Sequence, residues 1–368
     1  MLLIFLLLLS FFYLNPFIYF LKLFKIFELY LLFIYIKKNI TTQQYKNLII
    51  LLCIGIHFES FLSILQFVNQ SSLNGIFYFF GERTFASATP GIAQAIIDGK
   101  LILRPYGTFS HPNSLAGYFL AALFLILSLR GAKRRSNLLN KFVILNSCFV
   151  ILVLFLTLSR SAWFVAFLIF FSIGLLNIKK LINILLTQNK FLVFGLIFGF
   201  CFLIFGLLPA VEKRIISIKT TDAQSLEKRL NLNSVAWKMF LSSPIIGVGL
   251  NNFIPNLPRF TANQPQVRFY QPVHNIYLLI LAESGLLGFS IFLYVIYKII
   301  KFSYSHIIVS SSLHIINYPY LYIFISFISI LMLGLFDHYS LTLQQNQLLL
   351  TLVLGLIFSQ NNFFKKNI

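Results

Sequence analysis

The chain has 368 residues, of which 58% are hydrophobic and only 10% charged, with a formal net charge of +20. A soluble domain carries roughly a quarter charged residues, so that class is excluded, and apolar runs beyond about 18 residues point to membrane-crossing helices. The alternating segments of a transmembrane β-barrel are missing, which leaves an all-α polytopic membrane protein built as a single domain over residues 1–368.

In chain order, the apolar runs predict spans near 1–21, 47–68, 112–129, 142–158, 161–178, 191–208, 273–297, 317–336 and 340–358. The opening MLLIFLLLLSFFYL has no basic leader and no small-residue cleavage site, so it reads as a span and not as a cleaved signal. The apolar stretch 29–36 is too short to cross at ~1.5 Å per residue. It reads as an interfacial amphipathic helix or half of a tilted span, giving nine or ten transmembrane helices. Two longer segments, 69–111 and 209–272, read as partly helical. In the second, Leu226, Leu230, Val235 and Met239 approach a helical stripe that ends at SPIIGVGLNN, where Pro244, Gly247 and Gly249 signal a turn. Cys53, Cys148 and Cys201 lie in apolar runs and read as small hydrophobes, not as disulfides or metal ligands.

The charges carry a topology. Loops 37–46, 130–141, 179–190, 298–316 and 359–368 together hold fifteen Lys or Arg and no acid, which marks them as cytoplasmic. The opposite side then receives 69–111, the joint at 159–161, 209–272 and the joint at 337–339. Much of the positive charge is therefore addressed to anionic membrane lipids, and nucleic acid is not expected as a partner.

No nucleotide-binding GxxxxGK[ST] loop, HExxH, DxD pair, zinc-spaced Cys/His set or G-x-S-x-G elbow occurs, so neither a metal nor another cofactor is expected. What stands out instead is a set of polar residues at the outer ends of separate spans. Arg160 sits in LTLSRSAWF, Arg104, His111 and Asn113 in RPYGTFSHPNSLAGYF, His274 and Asn275 in VHNIYLLILAESGLLG, and Asp337 and His338 in DHYSLTLQQNQ. Arg229 and Trp237, eight residues apart, lie on one face of the helix expected in 209–272. Glu283 falls inside a span, where an ionisable group usually faces a partner or a cavity. Each also has a plainer account: Arg160 as a snorkelling anchor, Arg229 as a solvated residue, His111 and His274 at helix starts, Asp337–His338 as a polar turn, Glu283 as a structural pair. Taken together, Arg and His without metal ligands suit an anionic ligand bearing phosphate groups, because Arg grips phosphate oxygens bidentately and His moves protons near neutral pH.

With these motifs in their order, from about 104 to 350, the chain resembles the O-antigen ligase and O-antigen polymerase family of bacterial membrane glycosyltransferases. The resemblance implies a GT-C-like, metal-independent enzyme of polysaccharide and lipopolysaccharide biosynthesis in the cell envelope. Such an enzyme is a multi-pass protein of the cytoplasmic (inner) membrane that takes a glycan from an undecaprenyl-diphosphate carrier at the outer, periplasmic face. The acceptor is a lipid core, a growing polysaccharide or a protein. The family's diphosphate-binding arginines match Arg160 and Arg229, and its catalytic or acceptor-activating histidine matches His274. Arg104, His111, Asn113, Trp237, Asn275, Glu283, Asp337 and His338 are expected to bind substrate, with 209–272 supplying part of the site. The acceptor-side loops are too divergent from the family to name an acceptor. Rival classes are a secondary transporter or lipid-carrier flippase, which needs discontinuous spans and paired ionisable groups at mid-depth, and a non-catalytic assembly scaffold.

Overall fold

The computed structural model describes residues 14–97, 99–130, 137–176, 221–261, 271–312 and 318–359. The chain enters through α1 (Pro16–Asn39), whose N-cap Asn15 accepts from Ile18 N, and α2 (Thr42–Asn69), started by a reciprocal Thr41–Gln44 capping box. A one-turn helix α3 (Ile76–Phe79) and an antiparallel hairpin of β1 (Gln94–Ile97) and β2 (Lys100–Leu103), with Gln94 opposite Leu103, lead to α4 (Pro112–Leu127). Then come α5 (Asn137–Leu156), α6 (Arg160–Leu176), α7 (Thr221–Ser242), α8 (Phe253–Phe260), α9 (Ile276–Ser312), α10 (Tyr318–Leu333), the single turn α11 (Tyr339–Thr342) and α12 (Gln344–Phe358).

The sequence of α4 is apolar all round, a pattern shared by helices enclosed in protein and helices that face lipid. Phe119, Leu120, Ala121, Ala122, Phe124 and Leu125 are 0% exposed, and α2, α5, α6, α10 and α12 pack around them. Small polar residues tie the neighbours: Ser326 Oγ donates to the Ala121 carbonyl at 2.8 Å, and Ser114 Oγ to Asn346 Oδ1 at 2.7 Å. A second cluster joins α7, α8 and the start of α9 through Leu232, Val235, Met239, Leu257 and Ala282. The stripe expected on α7 is thereby corrected: Leu230 is 58% exposed and Leu232 takes the buried position.

Several element boundaries differ from the sequence expectation. Helix α1 runs unbroken across the stretch divided above between a span ending at 21 and a short piece at 29–36. It tolerates its charges because Lys22 donates to the Leu341 carbonyl at 2.6 Å and Lys25 pairs with Glu28 at 2.9 Å. Helix α9 continues through most of the expected loop 298–316, with Lys298 and Lys301 laid over the rings of Tyr294 and Tyr297. The hairpin is a strand pair inside an otherwise helical chain, so the all-α class holds for the helices and not for 94–103. The span expected at 191–208 lies outside the described residues.

Among the described residues, two helical stretches, Thr42–Asn69 and Ile276–Ile307, are long and apolar enough to cross a membrane. Five more apolar helical stretches have 10–17 residues each, below the roughly 20 that a perpendicular crossing takes. Nine or ten spans therefore remain an expectation from sequence. Large apolar side chains stand exposed along α1, α2, α5, α6 and α9, among them Phe24, Leu51, Ile151, Phe171 and Ile291, which is the surface of a helical protein that faces lipid.

Candidate functional site

The start of the central helix organises the site. Proline disfavours helical backbone in the residue before it, and His111 is extended at φ −156° and ψ 143°, with Pro112 opening the helix. The His111 ring Nδ1 then caps α4 by accepting from Asn113 N at 3.1 Å. Asn113, in the first turn, projects between two further groups: its Oδ1 accepts from the Arg104 guanidinium, and its Nδ2 donates to Asp337 Oδ2 at 3.2 Å.

Arg104 follows β2 and donates Nε to the Thr157 carbonyl at 2.7 Å, in the turn between α5 and α6. That turn is tight, with Leu158 at φ +49°, and it releases Arg160 as an exposed first residue of α6. Arg229 reaches in from α7 and donates Nη1 to the Phe336 carbonyl at 3.3 Å. Arg104, Arg160 and Arg229 line one cavity of about 380 Å³, together with Asn113, Ser161, β1 and the apolar walls Leu158, Phe164 and Phe336; among the described residues that line it, none is acidic. Three guanidinium groups delivered by three separate segments, beside the positive end of α4, make a site for a multiply charged anion.

Behind Arg229 lies a buried ionic group. His274 Nδ1 donates to Asp337 Oδ1 at 2.7 Å, and Arg229 Nη2 lies 4.0 Å from the same oxygen. Burial raises the Asp337 carboxyl, but the hydrogen bond and charge of His274, with Arg229 and His111, outweigh it and hold the carboxyl below its ordinary 3.8. His338 packs 5.3 Å from the His274 ring, and its Nδ1 lies 2.6 Å from Thr342 Oγ1. Burial, followed by the charge of His274, pushes His338 down to about 3; burial, followed by Arg104, does the same to His111. Tyr339 sits among the three rings, stacked on His111 at 5.5 Å and 4.7 Å from His338, with its hydroxyl raised well above 10 by burial. Sequence inspection passed over Tyr339, although it stands beside His338 in DHYS.

Of the expected residues, Arg104, Arg160, Arg229 and Asn113 meet at the cavity, and His111, His274, Asp337 and His338 form the group adjoining it. Asn275 neighbours His274 but serves backbone: Oδ1 accepts from Tyr277 N and Leu278 N, and Nδ2 donates to the Leu335 carbonyl at 3.2 Å. Trp237 is not brought to the cavity; it is 49% exposed and packs against Phe240 at 5.2 Å, because the turn of α7 that buries Val235 and Met239 directs position 237 outward. Glu283 is also elsewhere: its Oε1 accepts from Phe253 N at 3.3 Å, at the start of α8. The break in α9 two residues on, at Gly285, leaves backbone groups that segment 244–249 takes up, with Val248 N on the Ala282 carbonyl and Leu286 N on the Pro244 carbonyl. Discontinuity here is thus bonded within the protein and holds a loop in place.

Residues 145–293 match the family model described as O-antigen ligase, in support of the resemblance carried by the motifs above. The match takes in Arg160, Arg229 and His274 and leaves Arg104, Asn113 and Asp337 outside it. No curated protein matches the chain.

Proposed function

We propose, taking the O-antigen ligase family as the premise, that this chain moves a glycan from an undecaprenyl-diphosphate-linked donor to an acceptor at the outer face of the cytoplasmic membrane. The observation that carries the proposal is the convergence of Arg104, Arg160 and Arg229 on one cavity with no acidic residue among the described residues that line it. A glycosyl diphosphate needs its departing charge neutralised, by metal or by fixed cations. Here the fixed cations are oriented in advance: Arg104 by Thr157 and Asn113, Arg229 by Phe336 and Asp337.

The acceptor hydroxyl attacks the anomeric carbon, and the bond from that carbon to the phosphate oxygen breaks with its electron pair leaving on the diphosphate. The hydroxyl proton goes to His274 Nε2. With Nδ1–H held by Asp337, Nε2 is the ring's remaining acceptor, and the carboxylate stabilises the imidazolium that forms. A single displacement of this kind inverts the anomeric centre. Ligase and polymerase share this donor half and differ in the acceptor. A transporter or flippase is less well supported, since the Glu283 carboxylate is engaged by α8 and the break in α9 is bonded to segment 244–249.

Purified full-length protein in liposomes, given an undecaprenyl-diphosphate-linked oligosaccharide and an acceptor extract, tests the scheme. Transfer should persist in excess chelator, and His274→Ala should lower it roughly 10²–10⁴-fold. Activity that vanishes in chelator and returns with Mg²⁺, or that ignores His274→Ala, defeats the fixed-cation mechanism.

A further inference from the structure

Between α2 and the hairpin, the sequence SLNGIFYFFGE folds into α3 with its aromatic rings turned outward. Phe79 is 85% exposed, and Ile76, Tyr78 and Phe80 are each more than 60% exposed. Such a contiguous apolar patch asks for a covering surface. Its neighbours identify one. The Phe80 ring lies 5.7 Å from Phe58 and the Phe77 ring 6.5 Å from Phe61, both on α2. On α2, the exposed Leu51, Ile54, Phe61 and Val68 recur at helical spacing and so form one stripe. Helix α2 is one of the two described helices long and apolar enough to cross a membrane. The patch on α3 therefore continues the lipid-facing stripe of a span, at the end of that span, where aromatic rings collect at a bilayer's polar boundary.

The patch is also tied rigidly to the arginine cavity. The buried Glu82 carboxylate accepts from Leu73 N, Asn74 N and Gln66 Nε2, each at 2.8 Å, while Glu82 N donates to the Phe77 carbonyl. Gln66 Oε1 in turn accepts from Tyr106 N and Gly107 N, next to Arg104.

We propose that α3 is an interfacial foot that seats Ile76, Tyr78, Phe79 and Phe80 in the headgroup–acyl boundary of the bilayer. Through Glu82 and Gln66, the foot fixes the depth at which Arg104 meets a lipid-borne anion; this consequence, unlike the seating itself, rests on the function proposed above. A second copy of the chain is a weaker occupant, because a stable interface takes roughly 800 Å² per partner and α3 is a single turn of helix.

The test places the photoreactive p-benzoylphenylalanine at position 79 of the full chain in native membranes, with the same replacement of Phe61 as the reference on α2. Irradiation should give adducts of phospholipid mass at both positions. A cross-linked dimer or another protein adduct at 79, or a lipid adduct at 61 alone, overturns the seating. For the depth, a Tyr78→Asp/Phe79→Asp variant should bind a polyprenyl diphosphate several-fold more weakly in liposomes yet match the unmodified chain in detergent. Equal weakening in both, or in neither, overturns the depth role. The lipid adducts are read without any donor, so failure of the arginine assignment leaves that arm intact.

Discussion

At the scale of single residues, Arg160 differs from its two partners in the cavity. Arg104 and Arg229 are part-buried, while Arg160 is exposed at the first position of α6. A planar fork at that place matches a diphosphate, while a snorkelling anchor needs only its charge. Arg160→Lys should therefore lose donor binding at least tenfold, with unchanged membrane insertion; full transfer by the Lys variant reduces Arg160 to an anchor. The histidines make a separate prediction. His111 and His338 are down at about 3 in the fold against 6.5 for the free side chain. Between those values the unfolded chain binds protons that the folded chain refuses, so the stability they contribute is present above pH 6.5 and lost progressively as pH falls. The thermal midpoint in detergent should drop from pH 6.5 toward about pH 4, and the drop should shrink in a His111→Asn/His338→Asn variant. An identical drop in both proteins places the acid sensitivity in other groups.

At the scale of elements, the break in α9 shows how far sequence reaches. Pro244, Gly247 and Gly249 announce a turn, and the turn is there, but AESGLLG reads as the interior of a span because a helical pattern tolerates a lone Gly. What breaks the helix is tertiary: segment 244–249 lies against it so closely that a Cβ on Gly285 would collide with the Ile245 carbonyl, and one on Gly247 with the Glu283 backbone. Gly285 has φ 60° and ψ −163°, a region essentially reserved for glycine. Gly285→Ala should cost about 1–3 kcal/mol, read as a lowered thermal midpoint. Gly174→Ala, in α6 with nothing within 4 Å, should be neutral or stabilising. Comparable midpoints for the two variants remove the strain account. The same contrast runs through the rest of the chain. Apolar runs were legible as α2, α4, α5, α6, α10 and α12 because a helix that meets protein or lipid on every side leaves a continuous signal. The hairpin was passed over although Asp98–Gly99 between IleIle and LysLeuIleLeu is a two-residue turn signal. Arg104 and Arg160 were legible as polar residues near span ends, and Arg229 as one on the face of the helix expected in 209–272. Trp237 was not separable from them, because the face of α7 that turns inward is set by its packing on α8 and α9.

At the scale of the whole molecule, the cavity and Arg130, the residue at which the densest basic run of the sequence begins, stand at opposite ends of the central helix with its terminal turn. His111 and Asn113 open α4 at the cavity, and the helix with its terminal 3₁₀ turn ends at Arg130, where RGAKRRSNLLNK begins. A helix buried on every side passes through the body of the protein, so its two ends emerge on different faces. If the basic run is retained in the cytoplasm, as short Lys/Arg-rich loops are, the arginine cavity opens to the outside, where a translocated lipid-linked glycan is presented. Two probes separate the faces in a background without Cys53, Cys148 and Cys201. Lys238→Cys lies on α7, the helix that carries Arg229, and should react with a membrane-impermeant maleimide in intact cells. Ser136→Cys, within the basic run, should react only after the cells are permeabilised. Labelling of position 136 from outside, with 238 protected, would turn the molecule over. The cavity would then open to the cytoplasm, and transfer at the outer face would have no site in this protein.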